Sequence, residues 1–133
     1  MAKPIADLVG IFYGELWNRR NDSAVDDTLD AAFSFRGSLG QQTTGRNEWR
    51  RYRDAIMAGA ADFHNEVVDM VCEGRRAAVR MRYSGTHTGP LLGLPATHRR
   101  FEYAGAAFFT ADDQRLVSAW VLGDLDRLRR QLT

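Results

Sequence analysis

A chain of 133 residues, 44% of them apolar, suits a single domain with one core, spanning residues 1–133. Its 18 basic and 17 acidic residues leave a net charge of +1, which gives no electrostatic case for nucleic acid. No apolar run approaches the ~18 residues of a membrane span, and Met1-Ala2-Lys3-Pro4 carries no signal-peptide pattern, so a cytoplasmic protein without a membrane partner is expected. Cys72, the only cysteine, can form neither an internal disulfide nor a thiolate metal cluster; within the apolar stretch Val67–Cys72 it reads as a buried, inert thiol. Arg46, Arg50, Arg51 and Arg53 share their stretch with Glu48 and Asp54 and read as a solvated helix face.

Pro4 suits the first turn of a helix, and Ile5, Leu8, Val9, Phe12 and Leu16 then recur at helical spacing as far as Asn18, widened by Tyr13 and Trp17. Ser23 offers a cap for a short helix around Ala24–Leu29. Ala32–Arg36 alternates as a strand, a glycine-bearing loop follows, and Thr44 is positioned to cap a helix from Arg46 to Ala60 with Trp49, Tyr52 and Ile56 on one side. From Phe63 the pattern is β: Phe63–Glu73 and Arg75–Thr86 around Gly74, then His98–Thr110 and Arg115–Leu122. Gly85–Ala96, rich in Gly and Pro, reads as a structured loop or lid. Leu125, Leu128 and Leu132 mark a closing helix with Asp124 as its N-cap. Helices grouped on one face of a four-stranded antiparallel meander make an α+β architecture, and curvature of such a sheet leaves a cavity under the helices.

Four blocks in that order carry a resemblance. They are Asp62-Phe63-His64 with Gly74; Gly85-Thr86-His87-Thr88-Gly89; Gly93-Leu94-Pro95-Ala96-Thr97 with Arg99-Arg100-Phe101; and Trp120, Asp124 and Gln131-Leu132. Together they resemble the SnoaL-like polyketide cyclases of the nuclear-transport-factor-two-like superfamily. The resemblance implies a cone-shaped α+β barrel, a curved antiparallel sheet wrapped around the N-terminal helices, and an internal pocket at the open end. It also implies a small hydrophobic, aromatic or polyketide-like substrate, no metal and no organic cofactor, and a homodimer joined through the convex sheet faces. Cyclases of this kind close rings by aldol chemistry, using a carboxylate whose apolar surroundings raise its pKa. The aspartate that they carry directly after the position of Trp120 is replaced here by Val121, and the polar positions of the preceding strand by Gly105 and Ala107.

The candidate chemistry follows from what is left. Asp124, three residues beyond Val121, is either a replacement base or simply the helix cap. His87, where a strand meets the presumed lid, either shuttles protons or fixes that lid through loop hydrogen bonds. His64 is of uncertain face, with a surface or structural placement favoured. Tyr13, Trp17, Trp49, Tyr52, Tyr83 and Tyr103 fill the core or line the pocket, where their polar tips can meet a ligand. Gly105, Ala106 and Ala107 mark a bulge or tight bend in their strand or, with Val121, leave a roomier, more apolar wall; both can hold together. The leading expectation is a cofactor-independent enzyme of the cyclase, isomerase or hydroxylation type. The alternative is a non-catalytic module holding a hydrophobic molecule, favoured if no carboxylate or histidine reaches the cavity wall. An adaptor exposing its Trp and Tyr is the third.

Overall fold

The computed structural model describes residues Met1–Thr133. Six strands form one sheet in the order β2-β1-β6-β5-β4-β3, where β1 is Leu29–Arg36, β2 Gln42–Thr44, β3 His64–Glu73, β4 Arg76–Thr86, β5 Arg100–Ala111 and β6 Leu116–Gly123. The sheet is curved and open at both ends rather than closed into a barrel. Strands β3 to β6 are the expected antiparallel meander, but β1 joins β6 in parallel, so the sheet is mixed. The glycine loop after β1 contains an unexpected strand, β2, which folds back antiparallel onto β1.

Alternation on β4 and β5 sets the layers. Ala77, Val79, Met81 and Tyr83 face inward opposite Phe109, Ala107, Gly105 and Tyr103, and all but Gly105 are buried. Against this concave face pack helix α1 (Ile5–Ile11), its continuation Phe12–Asn18, and helix α3 (Arg46–Gly59); the short α2 is Val25–Thr28, and α4, Leu125–Leu132, lies against β5. No helix is long and apolar enough to cross a membrane.

Several local expectations change. The first helix widens into a π-helix over Phe12–Asn18, where Phe12, Tyr13, Leu16 and Trp17 are all buried. A π turn of this kind often marks a functional site. The cap of the next turn is Asn21, whose side chain accepts from Ser23 N–H, so Ser23 is capped rather than capping. Thr44 belongs to β2, and Gly45 takes the N-cap position of α3, which so has no side-chain cap; the Thr44 N–H instead donates to the Glu48 carboxylate. β5 starts at Arg100 because His98 takes a left-handed backbone, φ 60°. Cys72 is exposed. A bulge between Val67 and Asp69 interrupts the edge strand β3, and its far end runs out beyond the core, exposing Val71 and Cys72 in spite of their apolar character.

Candidate functional site

A cavity opens where the π-helical turn, α3 and the sheet meet. The π turn supplies Tyr13 and Trp17, α3 supplies Tyr52, β4 supplies Tyr83 and β6 supplies Val121, while Ser38 and Asn65 complete its polar wall. Its free volume is about 20 Å³, which suffices for one water molecule. Side chains fill the remainder, so a ring-bearing ligand can enter only by moving them.

The four tyrosines of the chain converge here. The Tyr83 and Tyr103 rings lie 5.0 Å apart, and the Tyr103 hydroxyl is 3.2 Å from Ser38 Oγ. Two glycines make room for the Tyr52 and Tyr83 rings. A Cβ on Gly37 would sit 2.1 Å from the Tyr52 hydroxyl, and one on Gly105 would sit 2.4 Å from the Tyr83 ring. The space left by the missing side chain of Gly105 is thus occupied by Tyr83 and not by a ligand. Tyr13 and Tyr83, each 3% exposed, have hydroxyls with no hydrogen-bond partner. The two approach closely enough to affect each other's ionisation, but not in the alignment of a hydrogen bond.

Burial dominates the ionisation of this cluster. It pushes Tyr13, Tyr83 and Tyr103 far above the ordinary tyrosine value, with the neighbouring Tyr13 adding to the rise at Tyr83 and Ser38 opposing it at Tyr103. Tyr52 is also raised by burial, against the amide of Leu39 and the hydroxyl of Ser38. All four therefore remain protonated near neutrality and act as donors, not as bases.

Neither carboxylate nor imidazole belongs to the cavity wall. Asp124, the candidate base, is exposed at the start of α4, where its Oδ1 accepts from Arg127 N–H at 3.2 Å; its position makes it the cap. Asp124→Ala is expected to cost about 1 kcal/mol of stability in urea unfolding while leaving ligand affinity unchanged. His87 is fully buried away from the cavity: Thr97 N–H donates to its Nδ1 at 3.2 Å, and its main chain pairs with Arg99 and His98. It ties the two ends of the glycine-rich loop together. That loop is no lid over the cavity either, since the Thr88 and Gly89 N–H groups both donate to Gly59 O and so seat it on the end of α3. His64 is exposed on the edge strand.

Of the remaining candidates, Trp49 is fully buried behind the wall, packed edge-on against Trp17 with Arg53 over its ring. Tyr103 lies behind the wall, in contact with Ser38 and the Tyr83 ring. Ala107 is buried in the sheet layer below. Tyr13, Trp17, Tyr52, Tyr83 and Val121 are brought together as wall residues. Ser38 and Asn65 were not anticipated; alternation from Phe63 to Asn65 is the signal that would have found Asn65, since both line the cavity.

A family model described as SnoaL-like polyketide cyclase matches residues 7–132. The chain belongs to this family. Solved structures share its fold throughout. A SnoaL-like polyketide cyclase from Agrobacterium tumefaciens superposes with a TM-score of 0.83 at 19% identity, over 98% of this chain and 99% of that one. TsrD from Streptomyces laurentii gives 0.83 at 27% identity, over 96% and 93%. IdmH from Streptomyces antibioticus, named as a candidate polyketide cyclase, gives 0.85 at 22% identity, over 98% and 99%. No curated protein sequence matches the chain significantly. Within this SnoaL-like fold, the cavity wall carries tyrosine hydroxyls, and Val121 lines it at the position where the resemblance implied an aspartate.

Proposed function

We propose that this SnoaL-like chain takes a neutral, apolar, carbonyl-bearing molecule of polyketide-like chemistry into the cavity lined by Tyr13, Tyr52 and Tyr83 and promotes its ring closure or isomerisation without a cofactor. The observation that carries this reading is the pair of buried, unpartnered hydroxyls of Tyr13 and Tyr83. A buried hydroxyl left without a partner costs stability, and a ligand oxygen would relieve that cost. Two protonated donors that both reached one carbonyl oxygen would also stabilise negative charge that develops there during reaction. The wall supplies no group to take a proton from carbon. The site therefore assists steps that load charge onto oxygen, and a deprotonation step falls to the substrate or to solvent.

The same lack of a base favours a second reading, a module that binds such a molecule and does not transform it. Calorimetry with 9-fluorenone and its hydrocarbon, fluorene, tests what both readings share. Fluorenone is expected to bind roughly tenfold tighter, the worth of about one good hydrogen bond. That preference should vanish in the double variant Tyr13→Phe/Tyr83→Phe. Equal affinity for the two molecules in the native protein would count against the reading. Conversion of a polyketide-like substrate then separates enzyme from binder.

The family expectation of a homodimer has a surface to support it. On the convex face Phe108, Trp120 and Leu122 are 52%, 45% and 52% exposed, and Arg36 lies over the Trp120 ring at 5.0 Å. The expected neighbours Arg80, Arg82 and Ser84 lie on this face too, but Arg82 is engaged by Glu66 and Glu102. We take a second copy as the partner here. Trp120→Glu is expected to shift native mass spectra from dimer to monomer; an unchanged mass would remove Trp120 from the interface.

A further inference from the structure

Asn65 is buried, lines the cavity and plays no part in the donor pair described above. Its surroundings fix which way its amide points. Asn65 N–H donates to Asn18 Oδ1 at 2.8 Å, and Asn18 Nδ2 donates to Asn65 O at 2.8 Å. Both bonds involve the main chain, whose donor and acceptor are unambiguous, so the Asn18 amide cannot be reversed. The Asn65 group 3.3 Å from Asn18 Oδ1 must then be the amide nitrogen, since two oxygens would repel. Asn65 Oδ1 is left as the end of the side chain that accepts from no protein donor. The wall therefore carries donors at Tyr13 and Tyr83 and an oriented acceptor at Asn65.

We infer that Asn65 is a specificity residue for a hydroxyl or N–H group on the ligand. The ligand class narrows accordingly to a hydroxy-ketone, with its carbonyl at the tyrosine pair and its hydroxyl at Asn65. This rests on the reading of the cavity as a ligand site. No cationic side chain lines the wall, so an anionic ligand has no counter-charge there and is disfavoured. Because the clasp between Asn18 and Asn65 runs mainly through the main chain of Asn65, replacing the side chain leaves two of its three hydrogen bonds in place.

The test uses 2-, 3- and 4-hydroxyfluorenone, each paired with its methoxy counterpart, which accepts but cannot donate. In the native protein at least one hydroxy isomer is expected to bind roughly tenfold tighter than its methoxy partner. Asn65→Leu and Asn65→Val, neither of which carries an acceptor, should both abolish that gain. The hydroxy-to-methoxy ratio, in which any general change in ring affinity cancels, is the readout in both, and thermal melts establish that both fold. If fluorenone binds but no isomer gains, or if the gain survives Asn65→Leu, Asn65 holds water only and the inference is wrong. If neither fluorenone nor any hydroxy isomer binds, the reading of the cavity fails and the inference falls with it.

Discussion

Raising the pH through 10, the ordinary tyrosine value, is expected to develop no tyrosinate absorbance while the protein stays folded. All four tyrosines are held protonated in the native state, chiefly by burial. In the unfolded chain they ionise near their ordinary value. Above that pH the unfolded state binds fewer protons than the native one, so stability falls as pH rises, and goes on falling until the raised native values are reached. Four such groups in one cluster make the slope steep. Tyrosinate absorbance and far-ultraviolet circular dichroism, followed on the same sample, should therefore change together in a single cooperative step. A tyrosinate signal that grows while the dichroism is unchanged would show that the cluster is open to solvent, contrary to the packing described here.

The largest single effect on stability is expected at Phe12. Its ring is fully buried and lies 5.0 to 6.3 Å from the rings of Tyr13, Phe33, Phe35, Trp49 and Phe109, so it joins the π turn to both α3 and the sheet. Phe12→Ala removes apolar burial and leaves a void whose rigid aromatic walls collapse poorly, which together cost about 3–5 kcal/mol. Ile11→Ala, one residue earlier, removes a half-exposed side chain and should change stability by no more than about 0.5 kcal/mol. Urea unfolding of the two variants measures the contrast. Comparable losses would mean that the helix does not pack through the π turn as described.

Much of the fold was legible because β4 alternates and turn residues separate the apolar runs from Phe63 onward, and the four antiparallel strands follow from that pattern. The parallel pairing of β1 with β6 was not legible, since nothing in Leu29–Arg36 encodes a partner 80-odd residues away. The π turn was hidden too: Phe12, Leu16, Tyr13 and Trp17 have ordinary helical spacing, and the widened turn depends on the packing of their rings. Cys72 misled because its apolar neighbours lie past a bulge on an edge strand, where sequence hydrophobicity no longer reports burial.

At the site, the five wall residues Tyr13, Trp17, Tyr52, Tyr83 and Val121 were found from aromatic character and from the family pattern. Gly105 was read as space for a ligand, whereas Tyr83 occupies that space, a relation that only the strand register reveals. Asp124 offered two roles in the sequence, and its bond to Arg127 N–H assigns it the cap. Asn65 escaped notice because Val67, Val68, Met70 and Val71 break the alternation begun at Phe63 and Asn65, which leaves the inward face of the strand ambiguous in the sequence.

The central claim is that Tyr13 and Tyr83 donate to the carbonyl oxygen of a bound ligand. Difference infrared spectroscopy of bound 9-fluorenone reads that bond directly, because hydrogen bonding lowers the carbonyl stretching frequency. The native complex is expected to show the band below its position in a hydrocarbon solvent, with a return to that position in Tyr13→Phe/Tyr83→Phe. A native complex whose carbonyl band already coincides with the hydrocarbon value would contradict the account.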